Sequence, residues 1–413
     1  MMEYGLLGAK LSHSFSKEIH EKIAEYRYDL IEVAPEDLDR FMKEKQFKAI
    51  NVTIPYKQKV IPYLDELTEA AISIGAVNCI RNENGRLIGH NTDYDGMLGL
   101  LRHAGIEISG KKVLILGTGG TSDTALAVCN TLGAKYAVKV SRTEKEGAIT
   151  YEKAQVEYGD AEIIINTTPC GMYPNPYETP LNLDAYETLE GVVDVIYNPL
   201  QTALVLEATM RNIKAESGLY MLVEQAVKAS EFFLGTKYDS HVTEEVYKAL
   251  YQKKQNIVLT GMPSCGKTTV GKLLARKLNR PFYDTDVLIE QKSKMQISEL
   301  FANYGESYFR NLETEVVKEI AMETGCVIAT GGGVVLRKEN VNALKLNGAV
   351  FFIDRALEDL MPTEDRPTAS NKEQIAKRYE ERYPIYTTTC DYIIPNQETV
   401  DTVVDGIIKE FFA

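Results

Sequence analysis

Ile257-Val-Leu-Thr-Gly-Met-Pro-Ser-Cys-Gly-Lys-Thr268 sets a short β-rich apolar run directly before a glycine-containing turn, and the helix-like stretch Lys267–Leu278 continues from it. The turn fits G-x-x-x-x-G-K-[ST] in the strand–turn–helix context that this motif requires. Its glycines let backbone N–H groups face inward around phosphates, and the helix N-terminus adds positive potential. Gly261, Ser264, Cys265, Gly266, Lys267, Thr268 and Thr269 are therefore candidate ATP-binding residues. Lys267 would reach the β- and γ-phosphates, and the Thr268 hydroxyl would ligate Mg²⁺.

A second turn of related design lies upstream. Lys112-Val-Leu-Ile-Leu116 runs into Gly117-Thr-Gly-Gly-Thr-Ser122 and then the helix-like stretch Thr121–Thr131. It is an incomplete G-x-G-x-x-G, because Ser122 stands where the third glycine would be. The next strand-like run, Tyr136–Val140, ends in Ser141-Arg142-Thr143. An NAD site would place Asp or Glu there for the ribose 2′-hydroxyl, whereas a cation between hydroxyls suits a 2′-phosphate, so the expected cofactor is NADP(H). Asp123 brings negative charge to the helix start, an unhelpful neighbour for a pyrophosphate unless its side chain turns away, for instance to cap backbone N–H groups.

Around these turns, β-rich runs alternate with amphipathic stretches, the pattern of parallel sheets with crossover helices. Further strand-like runs are Glu162–Ile165, Val192–Val195, Val327–Ala329 and Ala349–Ile353, and further helix-like stretches are Tyr220–Phe233 and Glu306–Met322. The polar patch Tyr251-Gln-Lys-Lys-Gln255 between the two turns marks the domain boundary. A chain of 413 residues is long enough for two or three domains, and its 44% hydrophobic and 25% charged composition is that of an ordinary globular protein. A formal net charge of −13 disfavours nucleic acid as a partner but says little against small anions, which a local Arg/Lys cluster can hold. The start carries no basic-then-apolar leader, and no window is apolar enough to span a membrane. Six scattered cysteines without C-x-x-C spacing argue against a disulfide framework or structural zinc and for a cytoplasmic location.

Behind the Gly261–Thr268 turn come Asp284-Thr-Asp286, Gly305-Glu-Ser-Tyr-Phe-Arg310-Asn-Leu-Glu313, Gly331-Gly-Gly333, Asp365-Arg366-Pro367 and Arg382. In this order the segment 256–413 resembles shikimate kinase. The resemblance implies that Asp284 joins Thr268 in holding magnesium, and that Asp286 binds shikimate hydroxyls and orients or deprotonates the attacking one. It further implies that Arg310 and Arg382 pair with the shikimate carboxylate, that Gly331, Gly332 and Gly333 line the pocket, and that Arg366 meets the transferring phosphoryl group from a lid. That lid reads Arg366-Pro-Thr-Ala where the family more often has Arg-Pro-Leu-Leu. The residue types suit these roles, since phosphoryl transfer asks for positioning and charge neutralisation and a guanidinium can grip a carboxylate through two parallel hydrogen bonds.

The amino-terminal part carries Ser12-His-Ser14-Phe-Ser16, Asn51-Val-Thr53-Ile-Pro-Tyr-Lys57, Gly75-Ala-Val-Asn78, Gly89-His-Asn91-Thr-Asp93, Asp194-Val-Ile-Tyr197-Asn-Pro and Gly218-Leu-Tyr-Met221-Leu-Val-Glu-Gln225-Ala. Together these segments resemble shikimate dehydrogenase over about residues 1–250. The resemblance implies substrate contacts from Ser14, Ser16, Asn51, Thr53, Asn78, Asp93, Tyr197 and Gln225, with Lys57 and Asp93 as the catalytic pair. It implies that Gly117, Thr118, Gly119, Gly120, Thr121, Ser141, Arg142, Thr143, Thr167, Gly218 and Met221 flank NADP. Reducing a ketone by hydride leaves an alkoxide in need of a proton, which Lys57 can give while Asp93 holds its ammonium.

The expected fold is α/β throughout. A substrate domain over 1–102, completed by helices within 219–250, precedes an NADP-binding Rossmann domain over 103–218. A linker at 251–255 leads to a P-loop kinase domain with a parallel sheet over 256–413. The expected function is reduction of 3-dehydroshikimate with NADPH followed by phosphorylation of shikimate with ATP. The rivals are a quinate/shikimate dehydrogenase fused to the kinase, and a non-catalytic metabolite sensor built from the same domains. A sensor should have lost Lys57, Asp93, Lys267 or Asp286, and all four are present.

Overall fold

The structure is a computed structural model that describes residues 2–11, 15–361 and 372–413. It divides into one compact unit of Met1–Asn198 with Thr202–Leu250 and a second of Pro199–Gln201 with Tyr251–Ala413. Two six-stranded sheets make up the first unit, and a five-stranded sheet makes up the second.

The first sheet contains β1 (Met2–Gly8), β2 (Tyr28–Glu32), β3 (Phe47–Val52), β4 (Glu66–Leu67), β5 (Cys79–Glu83) and β6 (Arg86–His90), in the order β2-β1-β3-β5-β6-β4. It is a mixed sheet. β1 pairs parallel with β2 and β3, but β5 runs antiparallel to both β3 and β6. The reason is local: Asn84-Gly85, at φ +54° and +93°, closes β5 and β6 as a two-residue hairpin, a turn that needs left-handed backbone at both positions.

The second sheet holds β7 (Lys112–Leu116), β8 (Tyr136–Ser141), β9 (Ala148–Thr150), β10 (Ile163–Asn166), β11 (Gly191–Asp194) and β12 (Lys214–Glu216), in the order β12-β11-β10-β7-β8-β9. All its pairings are parallel. Val113–Leu116 and Ile163–Ile165 are buried on both faces, which is why they read as unbroken apolar runs. Chain order reverses beside β7, and in such sheets ligands bind in the crevice beyond the carboxyl ends at that reversal.

Helix Leu219–Leu234 joins the two sheets of this unit. Met221 packs with Met97 and Val193 in the core under the second sheet, whereas Ala229 and Phe233 pack with Leu6 and Tyr28 under the first.

The third sheet consists of β13 (Asn256–Thr260), β14 (Phe282–Asp284), β15 (Val327–Ala329), β16 (Gly348–Asp354) and β17 (Tyr392–Pro395), parallel throughout in the order β14-β15-β13-β16-β17. Its first crossover, helix Lys267–Leu278, has the bounds read from sequence. The helix expected over Glu306–Met322 belongs to a longer run, Ile297–Ile320, broken at Gly305 (φ 77°, ψ 176°). That backbone is open to glycine and strained for other residues, so the chain changes direction there.

Residues 251–255 are not loose chain. Helix Val242–Lys254 runs through four of the five, with Lys253 and Lys254 in its last turn, where cations complement the helix dipole. No helix among the described residues is long and apolar enough to cross a membrane.

Two candidate active sites

In the first unit, the turn after β7 is shaped by Gly117, whose φ of +116° and approach to the Thr167 side chain leave no room for a Cβ. Gly119 caps helix Gly120–Thr131. Ser122, in the place of a third glycine, is fully buried and donates its hydroxyl proton to the Gly119 carbonyl oxygen (2.6 Å), so its polar atom is satisfied. Asp123 does turn away, but not to cap the helix: its carboxylate accepts a hydrogen bond from the Lys139 ammonium on β8.

A cavity of about 770 Å³ opens beyond β7, β8 and β10, lined by Gly117, Thr118, Gly119, Ser141, Arg142, Lys145 and Thr167 among others. Thr143 does not line it; its N–H donates to the Ser141 hydroxyl (3.4 Å). Lys145 is a cation that sequence reading passed over, and its ammonium donates to the Thr118 hydroxyl (3.2 Å). Its signal was position, three residues beyond Arg142 on the same strand-end loop.

A second cavity, about 540 Å³, lies where the first and second sheets face the same helix. Its lining brings together Ser16, Asn51, Thr53, Lys57, Asn78, Asp93, Thr121, Tyr197, Gly218, Met221 and Gln225. The Lys57 ammonium stands 2.5 Å from the Asp93 carboxylate, both side chains largely shielded from solvent. Asp93 opens helix Asp93–His103, where the dipole favours a carboxylate, and its other oxygen accepts from the Asn78 amide (2.9 Å). Asn78 is itself fixed, because its carbonyl oxygen accepts from the Thr92 N–H (2.8 Å). Gly218 lies against the Val195 backbone so closely that any side chain would collide. Ser14 lies outside the described residues.

A buried layer behind Asn51 was not legible in the sequence. The Tyr28 hydroxyl donates to the Asn51 side-chain oxygen (2.7 Å), and the His20 ring stacks on Tyr28 at 4.0 Å. Complete burial pushes the His20 pKa down to about 3, so the ring is neutral there. Asp194, at the end of β11, is also buried; desolvation lifts its pKa to about 7, opposed by hydrogen bonds from Asn166, the Ile196 N–H and Thr202. These bonds fix the chain just before Tyr197.

In the second unit, β13 leads into Gly261 (φ +146°), where a Cβ would meet the Cys265 sulfur and the Ile353 carbonyl oxygen, and Gly266 (φ +94°) starts helix Lys267–Leu278. The Lys267 ammonium donates to the carbonyls of Gly261 and Met262, each at 2.9 Å. Cys265 is fully buried, and its carbonyl accepts from Asn396 (2.7 Å), a loop-steadying contact that the sequence did not suggest. Ser264 is half-buried in this loop, and Thr269 is exposed on the helix beyond it. The Thr268 hydroxyl donates to Asp284 (2.7 Å), whose other oxygen caps the next helix through the Asp286 N–H (3.0 Å). Asp284 is thus both a cap and part of an oxygen donor pair suited to a hard cation.

Beside it, a cavity of about 440 Å³ is lined by Thr268, Asp284, Asp286, Arg310, Glu313, Gly331, Gly332, Gly333, Arg378 and Arg382, with other residues. Arg310 donates to Glu313 (2.7 Å) one turn along the helix restarted after Gly305. Glu313 is almost fully buried; burial raises its pKa, against the pull of Arg310. The Arg310 guanidinium occupies the space that a Cβ on Gly333 would need, and a Cβ on Gly331 would meet Asp286. Arg382, also buried, donates to the Gly332 carbonyl (3.0 Å). Glu313 and Arg378 are pocket residues to which sequence reading gave no role. Arg366 lies outside the described residues.

Known proteins match both halves. The family model described as shikimate dehydrogenase substrate binding domain matches residues 6–80, and that described as shikimate kinase matches residues 263–411. The chain is 39% identical over 261 residues to a shikimate dehydrogenase (NADP(+)) of Clostridium beijerinckii, covering 59% of this chain and 96% of that protein. It is 48% identical over 160 residues to a shikimate kinase of Clostridium botulinum, covering 38% of this chain and 96% of that one. Among solved structures, it resembles a shikimate 5-dehydrogenase of Thermus thermophilus in complex with NADP(H) and shikimate, with 28% identity, a TM-score of 0.55 and coverage of 60% and 99%. It also resembles a chorismate mutase/shikimate 5-dehydrogenase fusion of Clostridium acetobutylicum, with 34% identity, a TM-score of 0.58 and coverage of 61% and 98%.

Proposed function

From a chain that belongs to the shikimate dehydrogenase family in its amino-terminal part and to the shikimate kinase family in its carboxy-terminal part, we infer two consecutive reactions on one polypeptide. The first reduces 3-dehydroshikimate with NADPH, and the second phosphorylates the resulting shikimate with ATP. The observation that carries this reading is the Lys57–Asp93 pair, 2.5 Å apart in a cavity that also presents Asn51, Asn78 and Gln225. A proton donor then sits beside groups able to hold hydroxyls and a carboxylate.

In the reduction, bound NADPH supplies the hydride. Lys57 gives its proton to the oxygen that reduction leaves charged, and Asp93 keeps the ammonium aimed while Asn78 keeps Asp93 aimed. Arg142 and Lys145 are suited to a 2′-phosphate, which favours NADP over NAD and shikimate dehydrogenase over a quinate enzyme using NAD.

In the transfer, ATP supplies the phosphoryl group. Thr268 and Asp284 are the oxygens that would hold Mg²⁺, whose remaining positions water and phosphates commonly fill. Asp286 orients the attacking hydroxyl and accepts its proton, Arg310 and Arg382 take the carboxylate, and Lys267 neutralises phosphate charge. Six cysteines, all free, fit a cytoplasmic location.

The test is direct. Purified protein given 3-dehydroshikimate, NADPH, ATP and Mg²⁺ should accumulate shikimate 3-phosphate. Product that stops at shikimate, or no oxidation of NADPH, would overturn one half or the other.

A further inference from the structure

Arg310, Arg378 and Arg382 all line the kinase cavity. Two of them are accounted for by protein partners: Arg310 by Glu313 and Glu306, and Arg382 by the Gly332 carbonyl. Arg378 is half-buried and makes no hydrogen bond or ion pair with any described residue. It stands one turn before Arg382 on helix Lys372–Thr389, so both side chains leave the same face. Like charges at this spacing repel; burial, then Arg382 and Arg310, lower the Arg378 pKa, with Glu306 and Glu381 opposing them only in part. An apolar side chain would fill the position without that cost. A carboxylate between the two guanidiniums would turn the repulsion into attraction and give the unbonded N–H groups an acceptor.

We propose that Arg378 is a specificity-determining residue of the kinase site, a third guanidinium that recognises the substrate's carboxylate together with Arg310 and Arg382. This rests on the reading above that the other two arginines receive that carboxylate. The phosphoryl end of the cavity is marked separately by Thr268 and Asp284, which bond each other and none of the arginines.

The experiment compares Arg378→Met, Arg378→Lys and Arg382→Met in the full-length chain, with shikimate and shikimate methyl ester as substrates or competing ligands at saturating ATP. Arg378→Met should raise the KM for shikimate about tenfold or more, the loss expected for a hydrogen bond to a charged group. It should change binding of the uncharged ester less than about twofold, a difference that a merely structural role would not produce. Arg378→Lys should recover part of the loss, and an unchanged KM for ATP reports an intact fold. If Arg382→Met raises the shikimate KM and Arg378→Met does not, Arg378 is no part of the site. If acid and ester lose equally in both variants, the carboxylate reading itself fails. A fall in kcat with KM unchanged also overturns the proposal. Should Arg378→Met not fold, Arg378→Gln carries the same comparison.

Discussion

On the function proposed above, the turns after β7 and β13 solve one problem, holding phosphate against the end of a parallel strand, with different charge supply. The β13 turn carries its own cation: Lys267 is locked by two carbonyls inside the loop, and its neighbour Thr268 already touches Asp284. The β7 turn carries no cation. The cations beside it, Arg142 and Lys145, come from the loop after β8, and Lys57, the proton donor we propose, comes from beyond the end of β3 in another sheet. Phosphoryl transfer needs charge neutralised where the phosphates lie, so motif and chemistry coincide. Hydride transfer leaves the cofactor phosphates far from the reacting carbon, so the cradle and the acid–base pair are free to come from different sheets.

The strongest test of this contrast separates the two activities. Lys267→Ala should lower phosphorylation by about a thousandfold or more while NADPH oxidation continues, and Lys57→Ala should lower reduction by about a hundred- to ten-thousandfold while phosphorylation continues. Absorbance at the NADPH band and a coupled ADP assay read the two separately. Parallel loss of both activities in either variant would mean that the sites do not act independently.

Arg142→Ala, and more so with Lys145→Ala, should raise the KM for NADP by about ten- to a hundredfold and leave NAD nearly untouched. Equal losses for both cofactors would show that the charge from the β8 loop does not face a 2′-phosphate.

A smaller effect concerns Asp123. With Lys139→Met its carboxylate loses its ion-pair partner at the start of the cofactor helix, and the KM for NADP should rise about two- to fivefold. Adding Asp123→Asn should restore it. A rise that persists in the double variant would assign the effect to Lys139 itself.

The last test reads stability rather than rate. His20 is held neutral, with a folded-state pKa of about 3 against about 6.5 when unfolded, so its contribution is complete above pH 6.5 and is lost as pH falls towards 3. At pH 5 the loss should be about 2 kcal/mol relative to pH 7. Denaturant titrations of the parent chain and of His20→Phe at both pH values should differ by this amount, because the buried Asp194 and Glu216 carboxyls, lifted to about 7, shift both profiles in the opposite direction.

Much of both sites could be read in the chain because their signals are contiguous. Gly261–Thr268 needs its residues adjacent, since one loop wraps one phosphate group. Asp284 and Asp286 follow a strand end at the spacing of a cap and a pocket residue. The hairpin that makes the first sheet mixed rested on Asn84-Gly85, a two-residue cue easily passed over between longer runs. Gly305 divides a helix that periodicity alone would start at Glu306.

By itself the sequence determined the two strand–turn–helix cradles, the cation after β8 and the order of the polar segments, because each depends on residues close along the chain. Only the tertiary structure decided that Tyr28 and His20 stand behind Asn51, that Lys139 takes up Asp123 and that Arg378 joins two other arginines. These partners lie on different elements or on different turns of one helix. Packing brings their faces together, and no local propensity encodes that meeting.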